Sequence, residues 1–186
     1  MSVIGAVYPP GDASDNAEIA MAKEPKQLDE LFHDTLKDIY FAEKKILAIL
    51  PKMSKAAQSE ELKAAFEKHR TETEGQIKRL EQVFAAINKK PQGKTCAAIV
   101  GITDEGAEIM DEYKGSPALD AGLLAAAQAV EHYEISRYGT LIAWAGELGL
   151  DDAAELLEAT LEEEEATDEA LTEIAKTAIN QQAKAA

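Results

Sequence analysis

Apolar residues recur along this chain in four long stretches, at steps that alternate between three and four positions. This spacing keeps side chains on one face of an α-helix, so each stretch predicts a long amphipathic helix. Acidic residues or a histidine interrupt each apolar seam near its middle. The interruptions are Glu43 in the first stretch, His69 in the second, Glu131 and Glu134 in the third, and Glu164 and Asp168 in the fourth.

Start and stop signals set the bounds of the first two predicted helices. The first runs from about Gln27 to Leu50 and ends near Pro51, because proline disfavours continuation of a helix. The connection Pro51–Ser59 leaves room for one helical turn. The second helix spans about Glu60–Asn88, and the turn-forming sequence Pro91-Gln92-Gly93 ends it.

The third and fourth predicted helices follow after a longer gap. The third runs from about Pro117 to Leu148, where proline suits a first turn and Gly149 suits the C-terminal cap. The fourth starts near Asp151, a good N-cap residue, and continues to about Ala178. Strand signals are weak throughout, because the one short β-branched cluster, at residues 98–100, stands directly before a glycine.

The segment Lys94–Pro117, which joins the second and third helices, is too long for a hairpin loop. It carries its own helical pattern, which predicts an accessory helix at about Thr103–Tyr113 with Thr103 as its N-cap. A long crossover in the middle of four long helices is the connectivity of ferritin-like bundles. The predicted fold is therefore an all-α, ferritin-like four-helix bundle whose long crossover carries a short accessory helix.

The chain of 186 residues is long enough for one domain with a substantial core. Residues 1–25 contain Pro9-Pro10-Gly11 and show no sustained periodicity, which predicts a flexible N-terminal tail. The bundle is expected over residues 26–180, and residues 181–186 are expected to fray.

The composition excludes several functions. A formal net charge of −16 argues against binding to nucleic acid or to anionic membranes, which both require basic patches. No apolar run approaches the ~20 residues of a membrane span, and the N-terminus lacks the pattern of a secretory signal. Cys96 is the single cysteine, so no intrachain disulfide can form, and a reducing compartment fits. Phosphate-binding glycine loops and nucleophile-elbow motifs are absent from the sequence.

The residues that interrupt the seams are metal-ligand types at helical spacing. His69 and Glu72 are three positions apart, as are Glu131 and Glu134, and residues at this spacing can reach one site. Glu164 and Asp168 are four apart, and Glu43 stands alone on its helix. Carboxylates that converge inside a bundle repel one another unless a cation lies between them. One histidine among several carboxylates suits iron or manganese better than structural zinc.

Simpler interpretations exist for each residue alone. A single glutamate on a predicted seam is usually a surface residue, and a single buried histidine is more often a hydrogen-bonded core residue than a ligand. The run Glu162–Glu165 can turn at most one or two carboxylates inward, and Glu164 is favoured because it shares a seam with Leu157 and Leu171. The metal-centre hypothesis depends on the recurrence of the pattern in all four helices.

Neighbouring residues receive structural interpretations. Tyr138 continues an apolar seam and is predicted to be a core residue. Gln76 either hydrogen-bonds a ligand residue or stabilises its seam. His132 and Tyr133 lie off the seam, where they pack or orient a ligand carboxylate. Cys96 has no partner or activating motif and is predicted to be a structural thiol.

Several motifs resemble the YciF/YciE-like stress proteins of bacteria, over about Glu24 to the C-terminus. They are Asp38-x-Tyr40-x-Ala42-Glu43-Lys44, Ala65-Phe66-x-x-His69-x-x-Glu72-Thr73-x-Gly75-Gln76, Glu131-His132-Tyr133-Glu134-Ile135, Tyr138-Gly139-Thr140-Leu141 and Thr160-Leu161-x-Glu163-Glu164-x-x-Thr167-Asp168. The resemblance implies a ferritin-like bundle with a di-iron-type centre, in a cytoplasmic, often dimeric protein of the stress response whose biochemistry is undefined. The ligand positions that it implies are Glu43, His69, Glu72, Glu131, Glu134 and Glu164, with Asp168 as a further candidate.

The sequence departs from the general ferritin-like ligand pattern. That pattern has one glutamate on each of two helices and Glu-x-x-His on the other two. Here the second helix reads His-x-x-Glu, the third reads Glu-x-x-Glu, and the fourth has no histidine. This set has more carboxylates and fewer imidazoles, so oxygen chemistry of the ferritin type does not follow from it, and the metal is left open to iron, manganese or zinc. Two iron ions are the expected cofactor.

Two functional hypotheses follow. The first is a metal-binding protein with a carboxylate-rich di-iron-type centre that oxidises Fe(II) with dioxygen or peroxide in a stress response. The alternative is a non-catalytic, homodimeric stress protein that acts by binding partners. A metal that binds only the folded chain raises the melting temperature and a chelator reverses the effect, so thermal stability discriminates between the two.

Overall fold

A computed structural model describes residues 25–184 of the chain. The predicted N-terminal tail, apart from Pro25, lies outside the described residues, as do residues 185–186. The described part is helical and contains no strand. Its elements are α1 (Leu28–Ala56), α2 (Glu60–Ala86), α3 (Ala97–Glu112), α4 (Leu119–Glu147), α5 (Asp151–Ile174), a π-helical segment (Ala175–Ile179) and α6 (Asn180–Lys184).

Four long helices form the bundle. Helix α1 packs against α2 and α4, and α5 closes the bundle by packing against the same two helices. The shorter α3 belongs to the crossover and lies against α4 and α1. The predicted all-α bundle with a crossover helix is therefore confirmed. None of these helices is long and apolar enough to cross a membrane.

The prediction that α1 ends near Pro51 is wrong. The helix continues through Pro51 to Ala56, and the predicted connection shrinks to residues 57–59. Pro51 itself is exposed, so its ring faces solvent, while Met53 and Ala57 on the next turn are buried in the core. The burial of these side chains offsets the hydrogen bond that proline cannot donate.

The crossover helix begins earlier than predicted. It starts at Ala97, and Cys96 occupies the N-cap position. Thr103 lies inside the helix, where its hydroxyl donates to the carbonyl oxygen of Ile99 at 2.7 Å, so its predicted N-cap role is wrong. Ile99 is fully buried, and its packing holds the β-branched cluster in a helix against its strand preference.

The bounds of the last two long helices agree with the predictions within a few residues. Leu148 is the C-cap of α4, and Gly149 after it adopts a φ of +67°, the left-handed conformation that often follows a helix C-cap. Leu150, and not Asp151, occupies the N-cap position of α5, and Asp151 and Asp152 lie in its first turn. The helical path continues to Lys184. The fraying expected from residue 181 stays a prediction.

A carboxylate from α4 organises the turn between α1 and α2. The Asp120 side chain is buried and accepts hydrogen bonds from the backbone N–H groups of Gln58 and Ser59, at 2.8 and 2.7 Å. These groups stand at the start of α2, where a helix leaves N–H groups without intrahelical partners. Asp120 therefore fixes the position of α2 relative to α4.

Candidate metal centre

Four side chains converge in the middle of the bundle. One ligand atom from each of His69, Glu131, Glu134 and Glu164 lies within 4.8 Å of the corresponding atoms of the other three. His69 comes from α2, the two adjacent carboxylates from α4, and Glu164 from α5. All four are buried, with exposed fractions of 3% or less. We call this set the buried cluster.

Glu43 adds a carboxylate from α1 to the same region of the bundle. It is fully buried. The charge of Glu164 helps to raise the pKa of Glu43, and the charge of Glu43 helps to raise the pKa of Glu134, so the three carboxyl groups are neighbours. Tyr138, one helical turn after Glu134, donates its phenolic hydrogen to Oε1 of Glu43. The sequence predicted a core role for Tyr138. The side chain is indeed buried, but it also orients a carboxylate of the site.

Glu72 lies at the edge of the cluster. Its Oε1 accepts from the ammonium group of Lys68, an ion pair near the surface, while its Oε2 is buried without a partner. The charge of Glu72 contributes to the raised pKa of Glu131 and of Glu164, so the three groups are close. The structure therefore places Glu72 beside the buried cluster and not among its four members.

Asp168 is not one of the four members of the cluster but lies near it, because its charge contributes to the raised pKa of Glu131. The buried positions on either side of Glu164 are Thr160 and Thr167, which are 1% and 7% exposed. Each precedes by one residue the position predicted for the seam, Leu161 and Asp168. Asp168 instead accepts from the side-chain amide of Gln128 at 3.0 Å and lies 3.2 Å from Nε2 of the exposed His132. Its nearest polar partners are thus on the outside of α4.

The cluster has more buried polar atoms than hydrogen bonds. While the carboxyl groups are ionised, the atoms that are buried without a hydrogen-bond partner are both ring nitrogens of His69, both carboxylate oxygens of Glu134 and of Glu164, and one oxygen each of Glu43 and Glu131. Glu43 lies against Glu134 and Glu131 lies against Glu164, so a protonated member of either pair can donate to the other. Unsatisfied buried polar atoms are rare in folded proteins and require an explanation. A nitrogen and several oxygens that face one another without partners fit a metal ion of the iron or manganese type.

Burial dominates the protonation of the site. It raises the pKa of Glu43, Glu134 and Glu164 well above the usual range, and the charges of neighbouring carboxylates add to the effect. Burial also raises the pKa of Glu131 to about 8 and lowers the pKa of His69 to about 4. His69 is therefore neutral at pH 7, which is the form of histidine that binds metals.

A second layer of polar contacts surrounds the cluster on the side of α2 and α5. Arg79 donates from Nε to the hydroxyl of Thr160 at 2.8 Å and forms an ion pair with Glu163. Gln76 also donates to Glu163, at 3.1 Å. The Arg79 charge acts to lower the pKa of Glu43. Glu163 is therefore half-buried and paired with a cation, whereas Glu162 and Glu165 of the same run are exposed.

Sequence reasoning missed the role of Arg79. The available signal was its position three residues after Gln76, which places both on one helix face. Nothing in the sequence pairs that face with Glu163, because the contact spans 84 positions along the chain.

The buried thiol is paired with a tyrosine. Sγ of Cys96 lies 3.1 Å from the phenolic oxygen of Tyr133, and the two residues join the start of α3 to α4. Tyr133 is half-buried, and burial together with the Cys96 contact raises its pKa. Cys96 thus has a packing position in the crossover, away from the four-residue cluster.

The fold and the cluster define a class, helical bundles that enclose histidine and carboxylate side chains between their four long helices. Within this class, residues 27–184 match the family model described as "Domain of unknown function (DUF892)". The chain belongs to this family.

Relatives and solved structures agree with this assignment. Protein YciF of Escherichia coli strain K12 is 42% identical over 160 residues, which cover 86% of this chain and 96% of that protein. The crystal structure of the E. coli stress protein YciF superimposes with a TM-score of 0.80 and covers 84% of this chain and 99% of its own. YcfI from Rhodopseudomonas palustris, 44% identical, gives a TM-score of 0.76 and covers 81% of this chain and 96% of its own. The predicted YciF-like family is confirmed.

Proposed function

We propose that this chain is a metal-binding protein with a carboxylate-rich centre for two iron ions. The observation that carries the proposal is the set of unpartnered polar atoms in the buried cluster, since a bound cation would satisfy them together. Two ions fit the ligand count better than one, because Glu43 and the four members of the cluster together offer one imidazole and four carboxylates. Glu134 and Glu164 have no hydrogen bond on either carboxylate oxygen, so both would be free to hold the ions.

The chain's own residues would bind and orient the ions. His69 would supply its neutral imidazole, and Tyr138 holds the Glu43 carboxylate in one orientation. When bound, two Fe(II) ions would supply one electron each, which together with two protons from solvent reduce one dioxygen molecule to hydrogen peroxide. The surrounding apolar core keeps bulk water away from the site.

We extend the stress context of the relative to this chain. YciF of E. coli is described as a stress protein, and the two chains share 42% identity over most of their lengths. A centre that removes Fe(II) would serve a cell under oxidative conditions.

Anaerobic titration with Fe(II), with stoichiometry measured by elemental analysis, tests the proposal. We expect about two ions per chain in the wild type. Glu134→Gln, which keeps the size of the side chain and removes its charge, should lose at least one ion. Glu162→Gln on the exposed face of α5 is the matched control and should bind like the wild type. Binding of less than one ion by the wild type, or unchanged binding by Glu134→Gln, would refute the proposal.

A second candidate function is a non-catalytic stress protein that acts through partners. The raised pKa of Glu131 supports it, because a carboxyl group with a pKa of about 8 is mostly neutral at pH 7 and can remain buried without metal. Thermal melting with and without Fe(II) separates the two candidates. A melting temperature that Fe(II) raises and a chelator restores supports the metal centre, and an unchanged melting temperature supports the partner-binding protein.

A further inference from the structure

A narrow cavity lies inside the bundle next to the buried cluster. About 20 Å³ of it is open to the centre of a water-sized molecule, which is room for one molecule of that size. All four long helices contribute to its walls, and most of the lining side chains are apolar, such as Ile46, Met53, Phe66 and Leu171. We call it the apolar cavity.

The two ends of the apolar cavity differ. His69 and Glu131 line it on the side of the buried cluster, and each has a polar atom without a hydrogen-bond partner. Ile49 and Ala65 are the half-buried residues of its lining, so the cavity approaches the surface between α1 and α2. The lining of the apolar cavity therefore includes two residues of the cluster and two half-buried residues of α1 and α2.

The chemistry of the walls decides what can occupy this space. An ion or a strongly polar molecule would give up its hydrogen bonds to water and find few replacements among the apolar side chains. A small uncharged molecule of low polarity loses little when it leaves water, and apolar cavities of this kind bind such molecules. Hydrogen peroxide donates and accepts hydrogen bonds, so the walls favour dioxygen.

We propose that the apolar cavity is the route and binding place of dioxygen beside His69 and Glu131, and that the small side chain of Ala65 keeps its outer end open. This inference rests on the proposed function, because dioxygen is the reactant that two Fe(II) ions would reduce. It adds the path of the reactant and a residue that controls that path without binding metal.

Xenon tests the cavity independently of the metal. Xenon is a non-polar atom that reports sites open to small apolar molecules, and it can be pressed into crystals of the metal-free protein. We expect a xenon peak in the apolar cavity of the wild type and its loss in Ala65→Leu. Ala64→Leu, with the same change at the exposed neighbouring position, should retain the peak. A wild type without xenon there, or an Ala65→Leu crystal that keeps it, overturns the inference. Ala65→Val, a smaller insertion, serves as the test should the leucine variant not fold.

Oxidation kinetics test the route in the loaded protein. Wild type, Ala65→Leu and Ala64→Leu are filled with Fe(II) without oxygen and then mixed rapidly with dioxygen. We expect equal Fe(II) binding in all three and oxidation slowed about tenfold in Ala65→Leu alone. Equal rates in the two variants contradict the route. Absence of Fe(II) binding in the wild type would refute the proposed function instead, and the xenon result would still decide whether the cavity accepts small apolar molecules.

Discussion

Glu134 and Glu164 are both fully buried, and none of their four carboxylate oxygens has a hydrogen-bond partner among the described residues. A buried carboxylate costs several kcal/mol unless a cation or a proton neutralises it. Without a cation, protons must neutralise these carboxyl groups, and the stability of the protein therefore has to depend on pH.

The stability of the metal-free protein should fall as the pH rises from 6.5 to 8. The folded-state pKa of Glu131 is about 8 and the unfolded value is near 4.5, so the folded chain holds a proton that the unfolded chain has released. Each such carboxyl lowers the free energy of unfolding by about 1.4 kcal/mol per pH unit until the pH reaches its folded pKa. Denaturant unfolding in the presence of a chelator measures the slope.

His69 acts in the opposite direction, but only at lower pH. Its pKa is lowered to about 4 from 6.5, so its contribution to the free energy of unfolding decreases as the pH falls through that interval and is constant above it.

Glu131→Gln should reduce the slope of stability against pH between pH 6.5 and 8, while Glu165→Gln on the exposed face should not. A stability that rises over this interval would contradict the pKa directions.

Single residues of the site were predictable where they share a helix face with apolar residues. Glu164 was selected from four consecutive glutamates because Leu157 and Leu171 lie on its face, and the structure buries it. Arg79 was not predictable, because its partners Glu163 and Thr160 belong to another helix and only the packing of α2 on α5 brings them together. Periodicity reports the direction of a side chain within its own helix and carries no information about the facing helix.

Between elements, α3 and α4 approach closely at a glycine. A Cβ atom at Gly122 would stand 2.6 Å from Cγ2 of Ile109, well inside van der Waals contact. Gly122→Val should therefore force the two helices apart and lower the free energy of unfolding by about 1 to 3 kcal/mol. Gly139→Val on the same helix is the control, because no atom lies within 4 Å of the added Cβ. Equal melting temperatures of the two variants would show that α3 is not tightly packed there.

The connection between α1 and α2 depends on Asp120. Replacing it by alanine leaves the N–H groups of Gln58 and Ser59 without their charged acceptor and should cost about 2 kcal/mol of stability. Asp111→Ala removes an exposed carboxylate and should change stability by less than about 0.5 kcal/mol. Chemical denaturation of both variants gives the comparison, and equal losses would mean that Asp120 does not position α2.

The elements themselves were predictable, but not all of their ends. The C-terminal end of α1 was predicted from Pro51, and the start of α3 was predicted from Thr103. Tertiary packing overrode both local signals. Met53 extends α1 past the proline because it has a place in the core, and Ile99 extends α3 towards its N-terminus for the same reason. Helix propensities of single residues amount to about 1 to 3 kcal/mol, and burial of one large apolar side chain contributes a free energy of similar size.

At the scale of the whole molecule, the core formed by the described residues lies within the family region. Its buried apolar residues extend from Phe32 to Ile179, and the family match covers residues 27–184. Deletion of residues 1–24 should therefore leave the melting temperature within a few degrees of the full chain, as calorimetry can measure. A large loss would assign a structural role to the N-terminal segment.

The predicted homodimer stays a prediction. Sedimentation equilibrium should give twice the 20.1 kDa mass of one chain. The same measurement on the chain without residues 1–24 shows whether that segment contributes to association, and a mass of one chain would contradict the prediction.

The distribution of the buried cluster over the sequence also determines whether metal can bind before or after the chain folds. Its residues come from three helices, and Glu43 adds the fourth, so no local segment of a growing or unfolded chain presents the complete site. A metal ion cannot guide the early stages of folding here, unlike in domains whose ligands are neighbours in sequence. Under the proposed function, the chain would first fold without metal, with protons on its buried carboxyl groups, and would exchange these protons for metal afterwards. Metal binding by newly made protein would consequently release protons, and this binding would be slowest at low pH.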